Sequence, residues 1–172
     1  IFLCLLSTEV VAQKPEILEP YIWLKSSSLE EKMSLSQIRS KEMSDFQLNT
    51  FRDTVNYHLM RGMVYEKDGH RDRMHFILDS LSRIPASFKS PSFCYIFGNK
   101  SFLAGDYQLA ALSYMNIFNE GMVLGMSEAD SVTFSKTIFM NMGSAFNRLE
   151  NYGKAMEYYL KAVDPKVSNT LL

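Results

Sequence analysis

The stretch NYGKAMEYYLKAV, residues 151–163, decides how the fold of this chain is interpreted. Large and small residues alternate along one stripe of a helix, because they recur every three or four positions: Tyr152, Ala155, Tyr159 and Ala162. Alanines at such fixed positions indicate a helix that lies close to a neighbouring backbone. If the pattern recurs upstream, the chain is an array of repeats; if it does not, the stretch is a single amphipathic helix.

A glycine and a turn recur at the same spacing in three parts of the chain. Gly62, Gly98 and Gly143 each stand within a predicted helix, and a turn follows seven residues later. The turn residues are Gly69, Gly105 and Glu150. The helices after the turns carry, at matching positions, Met74, Leu78 and Leu81, then Ala110, Tyr114 and Ile117, then Ala155, Tyr159 and Ala162. One helix–turn–helix template therefore fits three times.

The glycines of this template have a physical reason. A glycine inside a helix costs about 1 kcal/mol relative to alanine, so it indicates a notch where a partner helix comes close. We expect the alanines of the second helices to face these notches, and tyrosine or leucine to wedge between neighbouring units. The residue three positions after each glycine is expected to fill the adjacent gap; these residues are Tyr65, Ser101 and Phe146.

The template resembles the tetratricopeptide repeat (TPR) family, whose units of about 34 residues fold as helix–turn–helix. The last unit, FMNMGSAFNRLENYGKAMEYYLKA at 139–162, matches best. The middle unit, 94–117, departs from the family at Ser101 and Ile117, and the first, 58–81, is degenerate. The glycine spacing is 36 residues (98 − 62) and then 45 (143 − 98). We expect the excess to lengthen the connection between the last two units and the helix after it.

The resemblance implies an all-α fold, an α-solenoid of antiparallel helix pairs. It would contain about three TPR-like units, near 55–84, 91–119 and 136–165, plus an N-terminal capping helix. The residues themselves also favour helices, because strand-like alternation rich in valine and threonine is almost absent.

Capping residues place the helix starts. The starting signals are Ser28 with Glu31, Ser44 with Gln47, Ser90 before Pro91, and Ser127 with Asp130. The predicted helices are 29–43, 45–67, 70–83, 91–104, 107–119, 128–149 and 152–163.

The first residues have a different character. Residues 1–6 are apolar, and 10–12 are small residues of the kind that precede signal-peptidase cleavage, although the chain begins with Ile. We interpret 1–12 as a truncated signal-peptide-like segment, 13–27 as a linker and 28–172 as the repeat domain; the alternative is a buried N-terminal helix. The predicted location is exported, periplasmic or extracytoplasmic, with membrane anchoring through a missing downstream segment left open.

Charge and motifs exclude several classes of function. With 18 Lys and Arg against 19 Asp and Glu, the chain has no excess of the basic residues that nucleic-acid binding requires, although a local basic patch stays open. His70 and His75 are five residues apart, which does not place two ligands on one helix face, and Asp68, His70 and Asp72 are interpreted as a capped turn. No GxSxG or glycine-rich phosphate loop occurs. We therefore expect no enzyme activity, no cofactor, no metal and a packed Cys94.

The resemblance also implies that the first helices line a concave groove that binds a protein or peptide. The predicted groove residues are Asn56, Leu59, Met63, Glu66, Tyr95, Asn99, Phe102, Met140, Ser144 and Asn147. Asn99 and Asn141 match asparagines that hold a terminal carboxylate in chaperone-binding relatives, but the cations of that clamp are replaced by Tyr95, Thr137 and Asn141. The expected partner is a partly apolar peptide or an amphipathic helix. The alternative is a groove covered by the N-terminal arm or by later units.

These patterns favour two functions and disfavour a third. The first is a scaffold for protein–protein interaction. The second is the extracytoplasmic sensor region of a membrane-bound transcriptional regulator or histidine kinase, since arrays of this kind precede such output modules. The third, an enzyme, would need a water-excluding pocket with two perturbed carboxylates or a histidine pair. Self-association stays open.

Overall fold

The computed structural model describes Met43, Phe46 and residues 48–119 and 128–163. Its six α-helices in these residues are α1 (Phe51–Lys67), α2 (Arg71–Ser82), α3 (Pro91–Leu103), α4 (Tyr107–Asn119), α5 (Glu128–Arg148) and α6 (Tyr152–Val163). A 3-10 segment, Pro85–Lys89, joins α2 to α3. The helices pack as consecutive antiparallel pairs, here called hairpin 1 (α1 and α2), hairpin 2 (α3 and α4) and hairpin 3 (α5 and α6). The all-α prediction and the pairing of helices are confirmed.

The predicted boundaries of α2 to α6 agree with the structure to within one residue, whereas the predicted start of α1 is wrong. Residues 48–50 are not helical, and α1 begins at Phe51 rather than at residue 45. A capping box sets this start: Asp53 N donates to Thr50 Oγ1 over 3.1 Å, and Thr50 N donates to Asp53 Oδ2 over 2.8 Å. The box predicted at Ser44 therefore does not begin α1.

The segments predicted before α1 lie mostly outside the described residues. This holds for the signal-like segment 1–12, the linker 13–27 and the capping helix 29–43, of which only Met43 is described. Phe46 is buried, and its ring centroid lies 5.7 Å from that of Tyr57 on α1. The chain that leads into α1 therefore packs on the core of hairpin 1.

Hairpin 2 begins as the sequence predicts, but after a 3-10 segment that the sequence did not indicate. Ser90 caps α3 by accepting a hydrogen bond from Phe93 N over 3.2 Å, and Pro91 occupies the first helical position. The Ser90 hydroxyl also donates to Asn56 Oδ1 over 3.1 Å, and both side chains are buried. This one residue therefore starts α3 and ties it to α1.

The turns inside the three hairpins share one backbone geometry. In each, the N–H of the residue after the turn residue donates to the carbonyl five positions earlier. These bonds are His70 to Tyr65, Asp106 to Ser101 and Asn151 to Phe146, over 2.8, 2.9 and 2.9 Å. The turn residues have positive φ angles: Gly69 87°, Gly105 86° and Glu150 59°. This is the Schellman ending of a helix, and the predicted turn positions are confirmed.

The buried glycines form notches, but aromatic rings fill them. A Cβ built on Gly98 would lie 2.7 Å from the ring of Tyr114, and one on Gly143 would lie 2.5 Å from the ring of Tyr159. Each tyrosine stands 16 residues after its glycine (114 − 98 and 159 − 143) and belongs to the same hairpin. The prediction that alanines face these two notches is therefore wrong, whereas Tyr114 also packs in one core cluster with Phe134 and Ile138 of α5, as expected for a residue between units.

Hairpin 1 fills its notch with a different side chain. Met74 lies against Gly62, while Leu78 stands where the other hairpins have tyrosine. Met74 itself stands where the other two hairpins carry alanine. Hairpin 1 therefore has a larger residue than they have at the alanine position and a smaller one, Leu78, at the tyrosine position. The alanines have another role, because Ala155 packs in a small cluster with Ala111, Ala145 and Phe146 where α4, α5 and α6 meet.

The contacts between successive hairpins are unequal. α4 packs against α5, whereas α2 makes at most marginal contact with α3. The 3-10 segment Pro85–Lys89 bridges hairpins 1 and 2 by touching α1, α2, α3 and α4. α5 has 21 residues, whereas α1 has 17 and α3 has 13. This confirms that the first helix of hairpin 3 is lengthened, as predicted.

Candidate functional site

Two adjoining cavities open along the first helices of the hairpins. One, of about 340 Å³, lies between α3 and α5 and is lined by Asn99, Phe102, Leu103, Tyr114, Asn141 and Ser144. The other, of about 230 Å³, lies between α1 and α3 and is lined by Met63, Glu66, Lys67, Met74, Ile96, Asn99, Lys100 and Leu103. Because Asn99 and Leu103 line both, the two cavities adjoin along α3, and together they are here called the first-helix groove.

The polar floor of the groove depends on the notch at Gly98. With no side chain on Gly98, the ring of Tyr114 crosses α3 and brings its hydroxyl to the groove side. There the hydroxyl donates to Asn99 Oδ1 over 2.8 Å, and Asn141 Nδ2 donates to the same oxygen over 3.2 Å. Burial, and secondarily the neighbouring Tyr95, raises the pKa of Tyr114, so the hydroxyl keeps its proton and serves as a donor.

Hairpin 3 repeats this arrangement in a looser form. The ring of Tyr159 crosses Gly143, and its hydroxyl lies 3.4 Å from Ser144 Oγ in the groove. Asn99 and Ser144 each directly follow the notch glycine. In two of the three hairpins, a tyrosine hydroxyl from the second helix thus contacts a side chain that lines the groove.

The end of the groove near α1 is built from methionine and an ion pair. Lys100 Nζ on α3 lies 2.5 Å from Glu66 Oε1 on α1, and both side chains are partly buried. Met63 and Met74 provide apolar surface beside this pair. The groove therefore has an amide-rich end between α3 and α5 and a charged, methionine-lined end between α1 and α3.

The structure brings together half of the residues predicted for the groove. Met63, Glu66, Asn99, Phe102 and Ser144 line its two cavities. Each cavity also receives lining residues from a second helix, Tyr114 or Met74.

The other five predicted residues lie elsewhere. Asn56 and Leu59 are 1% and 0% exposed, so a partner in the groove cannot touch them, and their placement there is wrong. Tyr95 packs edge-on against Phe134, with ring centroids 5.4 Å apart. Met140 and Asn147 are exposed on α5, outside both cavities.

Sequence reasoning missed three groove residues of consequence: Tyr114, Lys100 and Leu103. Tyr114 was assigned to the packing between units, although its spacing from Gly98 matches that of Tyr159 from Gly143. Leu103, 80% exposed, directly precedes a turn and forms the ridge between the two cavities. An exposed leucine at such a position was the available signal for a binding surface.

A separate apolar cavity of about 290 Å³ lies within hairpin 1, where Phe51 and His58 of α1 face Phe76 of α2 and Ile84. Burial, with a smaller contribution from Arg61, lowers the pKa of His58. The imidazole is therefore favoured in its neutral form.

Two further features of the described residues concern metal ions and membranes. No three His, Cys, Asp or Glu side chains among them are grouped closely enough to hold a metal ion. No helix in this part of the chain has the length and apolar content needed to cross a membrane.

Comparison of the chain with protein-family models, with curated proteins and with solved structures finds no match.

Proposed function

We propose that the chain is an α-solenoid of three TPR-like units with an N-terminal cap, and that it is a protein-interaction scaffold. Support for the repeat comes from two features that recur in register. The Schellman turns recur in all three hairpins, and the glycine notches are filled from the second helix in each. A repeat template with inward first helices creates an extended binding surface rather than a closed core.

The observation that carries the functional proposal is the first-helix groove, a pair of adjoining cavities between α1, α3 and α5. Its volume of about 340 Å³ at one end and 230 Å³ at the other is enough for several side chains of a bound segment. Phe102, Leu103 and Met63 offer apolar contact, while the Asn99 and Asn141 amides offer hydrogen bonds to a peptide backbone. The partner is therefore a partly apolar peptide or an amphipathic helix.

A clamp for a terminal carboxylate is a poorer fit to this groove. Lys100, next to Asn99 in the chain, is engaged with Glu66, and the polar groups around Asn99 are neutral. A carboxylate beside Asn99 would therefore meet neutral groups, and a charge contact with Lys100 would compete with the ion pair to Glu66.

Selection of peptides from a random phage-displayed library tests the groove. We expect peptides enriched on the wild-type protein to lose at least tenfold in affinity for Leu103→Glu, because the new carboxylate stands on the ridge between the cavities. Leu112→Glu is the matched control, since Leu112 is 51% exposed on α4 and lines neither cavity. Its affinity should equal that of the wild type.

Two results would contradict peptide binding in the first-helix groove. One is a library that yields no enriched peptide on the wild-type protein. The other is enriched peptides that bind wild type and Leu103→Glu equally well. Circular dichroism of both variants, which change exposed side chains, checks that the helical content is unchanged.

Export, and attachment to a regulator or histidine kinase, are further proposals. The segment 1–12, on which the export proposal rests, lies outside the described residues. In the sensor alternative, the first-helix groove would bind a peptide ligand, and the output module would respond to that binding. Fusion of residues 1–172, after a start codon, to alkaline phosphatase tests export, because this enzyme needs the disulfides that form outside the cytoplasm. An inactive fusion retained in the cytoplasm would refute it.

A further inference from the structure

The amides of Asn99 and Asn141 each keep one polar atom for a ligand. Asn99 Oδ1 accepts two hydrogen bonds, from the Tyr114 hydroxyl over 2.8 Å and from Asn141 Nδ2 over 3.2 Å. Neither Asn99 Nδ2 nor Asn141 Oδ1 has a hydrogen-bond partner among the described residues. Both side chains are half-buried and line the cavity between α3 and α5. This cavity therefore offers one N–H donor, Asn99 Nδ2, beside one C=O acceptor, Asn141 Oδ1, here called the amide pair.

Tyr114 sets the orientation of the amide pair. Its ring crosses the notch at Gly98, so its hydroxyl reaches Asn99 from the second helix of the hairpin. The side chain is 1% exposed and packs in one core cluster with Phe134 and Ile138, which fixes the position of the hydroxyl. Because this hydroxyl donates to Asn99 Oδ1, the Nδ2 of the same amide is left for the cavity.

A donor beside an acceptor is the complement of one residue in an extended chain. The N–H and C=O of such a residue point to the same side, as in a hydrogen-bonded pair of an antiparallel sheet. In the interior of an α-helix both groups are already bonded within the helix, so a helical partner could meet the amide pair only with side chains or at a terminus. A terminal carboxylate has acceptors alone and cannot donate to Asn141 Oδ1.

We propose that Tyr114 is a positioning residue that fixes the amide pair, and that the amide pair binds the backbone of one residue in an extended segment of the partner. The inference rests on the proposed function, peptide binding in the first-helix groove. It narrows the two candidate partners, a partly apolar peptide and an amphipathic helix, to a peptide that is extended where it crosses Asn99 and Asn141.

Two aspartate variants test the orientation of the amides in the free protein. Asn99→Asp keeps an acceptor for the Tyr114 hydroxyl and for Asn141 Nδ2, whereas Asn141→Asp places a second acceptor against Asn99 Oδ1. We therefore expect Asn141→Asp to lower the urea midpoint more than Asn99→Asp does. Equal effects, or the reverse order, would mean that the amides are not held as described and would overturn the proposal without reference to any ligand.

Backbone methylation of a bound peptide tests what the amide pair binds. The probe is a peptide enriched from the random library on the wild-type protein and weakened by Leu103→Glu. In a set of analogues, each methylated at one backbone nitrogen, we expect one analogue to lose about tenfold in affinity by isothermal titration calorimetry, because its N–H can no longer donate to Asn141 Oδ1. A helical peptide would instead lose affinity with almost every interior methyl group, since each removes a bond of the helix.

A cycle with Tyr114→Phe separates positioning from a structural role. Without the hydroxyl the Asn99 amide can rotate, and Asn141 with it, so affinity for the parent peptide should fall about threefold. The sensitive analogue should bind Tyr114→Phe and wild type equally. A structural role would lower both affinities by the same factor.

A second asparagine provides the matched control for the groove. Asn99→Asp replaces the donor of the amide pair with an acceptor and should weaken the parent peptide about tenfold. Asn147 is exposed on α5 and lines neither cavity, so Asn147→Asp should leave the affinity unchanged although it adds the same charge.

Three results would overturn the inference and leave peptide binding in the groove intact. They are a probe with no single sensitive nitrogen, a probe that almost every methyl group weakens, and equal losses of parent and analogue on Tyr114→Phe. An Asn99→Asp protein that binds the parent peptide as wild type does would also overturn it. A library without enriched peptides, or peptides indifferent to Leu103→Glu, would instead remove the proposed function, and the inference with it.

Discussion

Replacing Gly98 with alanine is expected to destabilise the protein, although alanine is the better helix former. The new Cβ would lie 2.7 and 2.9 Å from two carbons of the Tyr114 ring. Tyr114 is 1% exposed and its hydroxyl is held by Asn99, so the ring cannot move aside without cost. The clash is opposed only by the intrinsic preference of a helix for alanine.

The magnitude follows from three contributions. Overpacking a closely packed site costs about 1–3 kcal/mol. Displacing the hydroxyl of Tyr114 from Asn99 costs about 1 kcal/mol more. Helix propensity returns about 1 kcal/mol. We therefore expect Gly98→Ala to lower the free energy of unfolding by about 1–3 kcal/mol.

Urea denaturation followed by circular dichroism measures this change, and a second glycine provides the control. Gly153 lies in α6 with no atom within 4 Å of a Cβ built on it. Gly153→Ala should therefore stabilise the protein, by up to about 1 kcal/mol. The two substitutions are chemically identical and have opposite expected signs.

A double variant tests whether the ring is the cause. Leucine stands at the Tyr114 position in hairpin 1, so Tyr114→Leu is a side chain that this template accommodates. Gly98→Ala combined with Tyr114→Leu should be less destabilised than the sum of the single changes by more than about 0.5 kcal/mol. Additive effects, or a Gly98→Ala protein as stable as wild type, would refute the reasoning.

Three further predictions concern buried polar groups. Ser90→Ala should lower the free energy of unfolding by about 1–3 kcal/mol, because it removes the α3 cap and a buried hydrogen bond. Ser87→Ala should be neutral or stabilising, because the buried Ser87 hydroxyl has no hydrogen-bond partner among the described residues. Tyr114→Phe should cost about 1 kcal/mol and Tyr159→Phe less, because the hydroxyl contacts are 2.8 and 3.4 Å. The folded-state pKa of His58 lies below its usual value of 6.5. Protonation of this group therefore does not lower the free energy of unfolding above pH 6.5, but does so as the pH falls from 6.5 towards the folded-state pKa. Urea denaturation at several pH values should give a steeper acid-side loss for wild type than for His58→Gln.

These predictions have distinct contrary outcomes. Equal losses in Ser90→Ala and Ser87→Ala would mean that the capping geometry is not what stabilises the start of α3. Equal effects of the two tyrosine changes would mean that hydroxyl distance does not govern the energy. A His58→Gln protein with the pH dependence of wild type would locate the titrating group elsewhere.

Local chemistry made the helices and turns predictable, and it was ambiguous only at one start. Serine before proline at 90–91 and glycine at 69 and 105 specify single conformations through capping and positive φ. Before α1 there are two capping boxes, at Ser44 and at Thr50, and either satisfies the backbone of a helix start. Sequence alone did not rank them.

The occupants of the notches and half of the groove depended on how helices cross. Ala110 and Tyr114 are four residues apart on one face of α4, so periodicity places both towards α3 without indicating which lies over Gly98. Asn56 was expected in the groove because its position in the template faces inward. The 3-10 segment and Ser90 instead close over that side of α1. Such a segment between repeats has no periodic signal.

The 3-10 segment Pro85–Lys89 has a consequence for how the molecule unfolds. It touches α1 to α4, and the ring of Phe88 sits edge-on to the rings of Phe93 and Phe97, with centroids 5.1 and 5.8 Å away. Since α2 hardly meets α3, these five residues, together with the direct contacts of α1 with Ser90 and Lys100, transmit the cooperativity between the first hairpin and the remainder. An insertion between Ile84 and Pro85 would divide one melting transition into two, whereas hairpins 2 and 3, joined directly through α4 and α5, would still melt together.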